Sequence, residues 1–407
     1  MVDSRRHAEV TIPVWAGALI LAGALTATFS AIAAVTAVIV CRNVTTPHRR
    51  QFDDTLVAGF DAQAHTITLS RSPDTTTAGE YSFVFGRRGH ARLGEIIALA
   101  RTTVTRRVLG VDSGDLSRAR AGRVRGMFYC DPVALGIPVT EVRIDTALGA
   151  APAWFVPTTS PSTRWLIQVH GHDETRRECI RSIPVAHQNG YNSLLISYRN
   201  DGEAPTTVDG RYGLGATEWC DVDDAITYAA AQGATDVVLM GWSMGGATVL
   251  QAVGQSARAD VVRGIILESP VLDWARLLRF QAGLRKMPTA LTHCVLVMMR
   301  ALFRHQRFSS LTGQRSQFDL RELDFVRRSA ELTLPILLLH SDADAMMPIS
   351  SAHEFARARP DIVTFERFPI AAHARLWNHD RERWNSTIEL WLAGLVLDDS
   401  PLATRTD

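Results

Sequence analysis

The stretch that most limits how this chain can fold runs from Asp236 to Ala252. Val237 to Met240 is a short apolar run with β-branched residues, as expected of a central strand in a parallel sheet. Gly241-Trp242-Ser243-Met244-Gly245 follows, and Ala247 to Ala252 continues with helical character. A strand passing into a helix within so few residues needs a tight turn, and the residues two before and two after its apex must lack bulk. Gly241 and Gly245 meet that need. The turn lifts Ser243 above the carboxyl edge of the sheet, with the N-terminal amides of the helix, Met244 first, pointing at the same place. A glycine-rich turn with a passenger serine is the alternative, and the flanking strand and helix weigh against it.

An activated serine needs a base and a carboxylate that orients it, and behind such a turn they follow in the order Ser, Asp or Glu, His. Both types occur downstream, each after a strand-like run. Leu334 to His340 precedes Ser341, Asp342 and Asp344, and Val363 to Phe368 precedes His373. His340 ends a strand, His353 lies in a helix and His379 sits in a helical or pre-helical segment. His373 alone follows the last strand in a loop of small residues, so it is taken as the base. Asp342, Asp344 and, less well placed, Glu268 and Asp273 are the candidate carboxylates.

Gly241-Trp242-Ser243-Met244-Gly245, the acid loop through Pro348 and His373 together resemble the α/β-hydrolase superfamily, in particular its prolyl-oligopeptidase-like and serine-aminopeptidase-like branches. In those families the acid is the second aspartate of the loop, four residues before the proline. The resemblance therefore implies Asp344, with Asp342 bracing the loop. It also implies that the turn at Gly171-His172 supplies a second backbone donor for an oxyanion, from His172, beside the amide of Met244. The segments Ser197 to Pro205, Tyr212 to Gly215, Glu218-Trp219 and Gly241 to Gly246 further resemble actinobacterial membrane-anchored α/β hydrolases. Ser341 stands where glycine is usual, and Ala371-Ala372 where glycine is common.

Around this centre the chain divides as follows. Residues 1–11 form a short tail. Residues 12–40 carry no charge and are long enough for a transmembrane helix, since some 20 helical residues cross the hydrocarbon core. A cleaved signal peptide is the rival reading, with small residues at Ala31 and Ala33, but the apolar run continues past them to Val40. Arg42, Arg49 and Arg50 outnumber Arg5 and Arg6, which leans towards a cytoplasmic body. Residues 41–135 read as a β-rich unit, with strands at 65–70, 81–85, 94–100 and 102–109 and another at Gly126 to Tyr129. Residues 136–397 read as the α/β domain: a mostly parallel eight-stranded sheet, helices on both faces, a helical lid at about 274–329. The loop from Arg199 to Leu214 offers substrate-contact candidates, and 398–407 is a polar tail.

With 43 Lys and Arg against 42 Asp and Glu, the charge balance gives no reason to expect a nucleic-acid partner. The five cysteines are scattered and form no metal-ligand pattern, so neither a metal nor a cofactor is expected. These readings converge on a membrane-anchored serine hydrolase acting on a small acyl ester, a lipid-like molecule or a peptide. The alternatives are a prolyl-oligopeptidase-like peptidase, which the lack of blade-like repeats disfavours, and a non-catalytic binding protein that keeps the fold.

Overall fold

The computed structural model describes residues 14–47, 52–305 and 317–398. The chain opens with one long helix, α1 (Val14–Thr45). It extends past the apolar run predicted at 12–40, whose first two residues lie outside the described ones. The extra turns hold Arg42 and Asn43, which are exposed, while Cys41 and Thr45 are buried.

Six strands then close into an antiparallel barrel: β1 (Thr55–Asp61), β2 (Thr66–Ser70), β3 (Tyr81–Phe85), β4 (Gly89–Leu99), β5 (Thr103–Ser113) and β6 (Ala121–Arg125). Their order around the barrel is β1-β2-β5-β4-β3-β6. Period-2 alternation sends Ile67, Leu69, Phe83, Leu93 and Val104 inward. A short helix, α2 (Pro73–Thr76), follows β2. Inside lies Arg106, fully buried, whose guanidinium donates to the carbonyl oxygens of Gly94, Thr75, Thr77 and Gly79. Closure removes the exposed edges that an open sheet of this size would carry.

The strand expected at Gly126 to Tyr129 is not one. The closing strand is Ala121–Arg125, and Phe128 instead enters the core of the second unit, its ring 5.4 Å from that of Trp377. Phe128 and Tyr129, neighbours in sequence, both pack against that core, so the stretch does not alternate between two faces.

The second unit is an eight-stranded sheet of β7 (Thr140–Thr146), β8 (Gly149–Val156), β9 (Arg164–Val169), β10 (Asn192–Ile196), β11 (Asp236–Trp242), β12 (Val262–Glu268), β13 (Ile336–Ser341) and β14 (Val363–Phe368). Its order is β14-β13-β12-β11-β9-β10-β8-β7, parallel from β10 to β14 with an antiparallel hairpin at the β7 edge. Neighbouring side chains on a strand serve opposite faces. Val237 and Leu239 join one core while Val238 and Met240 join the other. Helices α3 (Ile183–Gln188), α9 (Leu376–His379) and α10 (Arg381–Asp398) cover one face. The other is covered by α4 (Trp219–Ala231), α5 (Met244–Gln255), α6 (Trp274–Leu284), α7 (Thr289–Arg304) and α8 (Ile349–Ala358). Before α3 the chain runs as a 3-10 stretch, Arg176–Ser182, and becomes α-helical only at α3, where Pro184 occupies the first turn.

Barrel and sheet unit meet around Asn378. Its side-chain amide donates to the carbonyls of Glu80 and Gly126, both at 2.7 Å, and its own carbonyl accepts from Glu80 N at 2.9 Å. Gly79 has φ +115°, and a Cβ there would lie 2.1 Å from the Asn378 carbonyl oxygen, so only glycine fits. Ion pairs of Arg375 with Asp74, Arg381 with Glu80 and Arg125 with Glu174 surround the junction.

Candidate active site

Ser243 sits between β11 and α5 with φ +51° and ψ −115°, a strained conformation for a residue with a side chain. Glycines make it possible. A Cβ on Gly241 would lie 2.5 Å from the Gly245 carbonyl oxygen, and one on Gly245 would lie 2.2 Å from that of Val169. The turn is pinned by Ser243 N donating to Glu268 O and by Ser243 O accepting from Val271 N, both at 3.0 Å.

The structure brings Ser243, His373 and Asp344 together. Ser243 Oγ lies 2.9 Å from His373 Nε2, and His373 Nδ1 lies 2.8 Å from Asp344 Oδ2. The other oxygen of Asp344 accepts from the amides of Met346 and Met347, both at 2.8 Å. Burial pushes the Asp344 carboxyl up, but the charge and hydrogen bond of His373, with smaller contributions from His340 and the Met347 amide, more than offset this and hold it below the usual carboxylate range. An ionised Asp344 only accepts, so Nδ1 of His373 carries the proton and Nε2 is left to accept from the serine hydroxyl.

Other candidate carboxylates go elsewhere. Asp342 pairs with Arg367 at 2.8 Å, and Asp273 caps α6. Glu268, fully buried, accepts from the indoles of Trp242 and Trp384 at 2.8 Å each and from Leu376 N at 3.1 Å. His353 packs against Phe365, and His379 closes α9. His340 is nearer than its strand-end position suggested, with Nε2 3.5 Å from Asp344 Oδ2. Burial drives its pKa down to about 4 against the pull of Asp344.

Ser341, the departure from glycine, joins the two loops: its hydroxyl accepts from Ala343 N at 3.1 Å and Ala371 N at 3.0 Å. On the other side of His373, Ala374 has φ +51°. Its carbonyl accepts from buried Arg181 at 3.0 Å and its amide donates to Ser269 at 3.3 Å. Neither Ser341 nor Arg181 has a local sequence signal. The partners that matter here, Ala371 for Ser341 and Ala374 for Arg181, are 30 and 193 residues away.

The Gly171-His172 turn abuts the serine, since a Cβ on Gly171 would lie 3.3 Å from Ser243 Cβ. Its carbonyl accepts from Tyr198 Oη and from His170 Nδ1, both at 2.9 Å. In a trans peptide the amide of His172 points opposite to that carbonyl. Burial lowers the pKa of His170, but Asp201 at 3.2 Å and the Gly171 carbonyl outweigh it and leave it raised. Both ring nitrogens face acceptors, which suits an imidazolium. The His172 side chain binds elsewhere: its Nε2 donates to the carbonyl of Val44, at the end of α1, at 2.9 Å.

Ser243 and His373 open into a pocket of about 850 Å³. Its apolar wall comes from α6 and α7, notably Trp274, Leu277, Val295, Leu296 and Met299, with Met347 beside them. Arg125, Gly126 and Met127 of the barrel exit form part of its rim, with Asp173, Glu174 and Arg375. The loop from Arg199 to Leu214, whose residues were candidates for substrate contact, does not line it. Asn200 binds Arg211 O and Thr207 N within the loop, and Arg211 and Tyr212 hold the end of α1. Among the described residues no group of three His, Cys, Asp or Glu side chains is placed to hold a metal ion.

Residues 56–125 match a domain of unknown function (DUF8805). No protein of curated function gives a significant sequence match. Among solved structures, the esterase Pf2001 of Pyrococcus furiosus is similar in two crystal forms. Both have a TM-score of 0.50 and 16% identity over 65% of this chain, covering 94% and 96% of the esterase. The esterase EaEST of Exiguobacterium antarcticum has a TM-score of 0.44 and 16% identity over 62% of this chain and all of its own. Residues 169–386, more than half of the sequence, match the model of the alpha/beta hydrolase family, and the chain belongs to that family.

Proposed function

We propose that the protein is a membrane-anchored serine hydrolase that cleaves an ester-type acyl bond. The observation that carries this reading is the Ser243–His373–Asp344 row, at 2.9 and 2.8 Å, standing at the wall of a largely apolar pocket. His373 Nε2 takes the proton of Ser243 as its oxygen attacks the acyl carbon, and Asp344 keeps the ring in the required tautomer and steadies its positive charge. The amides of Met244 and His172 receive the oxyanion, the second oriented by the grip of Tyr198 and His170 on the Gly171 carbonyl. His373 then gives its proton to the leaving alcohol. Water, deprotonated by the same imidazole, releases the acid and restores Ser243.

The pocket's apolar wall supports an acyl ester over a peptide. The anchoring reading rests on α1, the one helix among the described residues long and apolar enough to cross a membrane. It is continuous through the possible cleavage point at Ala33, and that residue is itself buried. The test is labelling of the full-length protein with a fluorophosphonate, together with turnover of a 4-nitrophenyl ester. Wild type is expected to label and turn over, and Ser243→Ala to lose labelling and roughly a millionfold in kcat. Equal labelling of both proteins, or none of wild type, removes the hydrolase reading.

A further inference from the structure

The end of α1 is a wall of the pocket. Val40, Asn43 and Val44 line the same cavity as Ser243 and His373. Ala33, Ala37, Cys41 and Thr45, one every fourth residue, are fully buried, and this side of α1 packs on α7. Polar contacts fix the helix end: Thr45 O accepts from Tyr212 N at 2.8 Å, Val44 O from His172 at 2.9 Å, and Thr46 Oγ1 from Arg211 at 2.6 Å. From Ala18 to Ile32, by contrast, every side chain is exposed, with Leu19, Leu21 and Leu25 each more than 60% accessible. The stretch from Val14 to Ile32 is about 28 Å long at 1.5 Å per residue, close to the roughly 30 Å of a hydrocarbon core. One helix is thus divided into a length that suits the bilayer and a length that belongs to the site. The pocket joins apolar side chains of α1, α6 and α7, with Asn43, Gln281 and Arg285 among them, to a charged rim that includes Arg125, Asp173, Glu174 and Arg375.

We infer that the substrate is a long-chain acyl lipid drawn from the bilayer, its chain lying in the apolar limb between α1 and α7 and its polar part at the rim. This rests on the hydrolase reading and names the substrate class for the same site. The ester C–O bond breaks and a C–O bond to Ser243 forms. The alcohol leaves with the proton that His373 took from Ser243, and water then supplies the oxygen and the proton of the released fatty acid and returns its other proton to Ser243. A helix that leaves the membrane and enters the pocket wall places Val40 and Val44 on the chain's route from one to the other, which shortens the lipid's passage through water.

The experiment uses full-length protein in phosphatidylcholine nanodiscs and an alkyl fluorophosphonate with a diazirine at the chain end. Phosphonylation of Ser243 followed by photo-crosslinking into the Val40–Val44 segment is the expected result. Absence of phosphonylation overturns the hydrolase reading. Phosphonylation with crosslinks only at Arg125 to Met127, or with no protein crosslink, leaves that reading intact and overturns the acyl limb. Probe supplied in the enzyme's own nanodisc is expected to react several-fold faster than the same probe delivered on serum albumin; equal rates overturn the bilayer route. In a 4-nitrophenyl ester series from acetate to palmitate, kcat/KM is expected to rise roughly fourfold per methylene buried. Val40→Trp and Val44→Trp should move the optimum to shorter chains, and an unchanged profile in the folded variants overturns the proposal. If neither variant folds, the crosslinks on wild type decide.

Discussion

Two serine–histidine–aspartate rows stand among the described residues, and their distances hardly differ. In the barrel, Ser82 Oγ lies 2.7 Å from His90 Nε2, and His90 Nδ1 lies 2.8 Å from Asp112. What separates them is where the hydroxyl proton goes and what the oxygen faces. Ser82 donates to the carbonyl of Met127, and both it and His90 are buried, whereas Ser243 is aimed at its imidazole and borders a cavity. Ser82→Ala is therefore expected to lower stability by about 1–3 kcal/mol, read by urea unfolding, with fluorophosphonate labelling of Ser243 retained. Asp344→Asn should keep the fold but lower kcat by about 10⁴, because an amide no longer selects the productive tautomer of His373; steady-state kinetics and circular dichroism check both halves. His340 makes a prediction in pH. Its pKa falls from 6.5 to about 4 on folding, so between those values the unfolded chain binds a proton that the folded one does not. Stability must then fall as pH drops from about 6.5 to about 4, by about 3 kcal/mol from this group alone. Urea midpoints across that window should show a shallower fall in His340→Leu, and an unchanged slope counts against the assignment.

Among the elements, the β11–α5 turn shows how one local constraint is met by a distant part of the chain. Gly241 answers a contact within its own turn, but Gly245 is required by the end of β9, about 75 residues earlier in the sequence. Gly245→Ala must push the two elements apart or distort a Ser243 backbone that is already strained. It should cost about 3 kcal/mol in urea unfolding and lower labelling of the folded fraction, because the serine moves with the turn. The loop after β10 teaches the opposite lesson. Its polar, glycine-containing character suggested contact with substrate, yet Glu218 binds the amides of Gly213 and Gly215 at 2.6 and 2.9 Å and turns it into a clasp for α1. Composition alone does not separate a loop that touches a ligand from one that holds another element.

At the scale of the molecule, the pocket is bounded by pieces that the sequence keeps far apart: the end of α1, the barrel exit, the helices after β12 and the loops after β9, β13 and β14. The barrel's place at the rim depends on Asn378, where one buried amide serves two carbonyls and Arg181. Asn378→Ala leaves those partners unsatisfied and should destabilise the protein by about 2 kcal/mol or more, with barrel and sheet unit melting less cooperatively in calorimetry. The sheet, its α/β class, the strained turn and the long apolar helix could all be read from the sequence. Each arises from local periodicity or from glycines spaced where a tight turn leaves no room for a Cβ. The acid loop and His373 were legible because each follows a strand end whose position the chain order dictates. The junction at Asn378, the clasp on α1, the link through Ser341 and the entry of α1 into the pocket wall were decided only by tertiary structure. A single side chain that meets a partner scores of residues away leaves no periodicity in its own neighbourhood, and its surroundings exist only once the chain has folded.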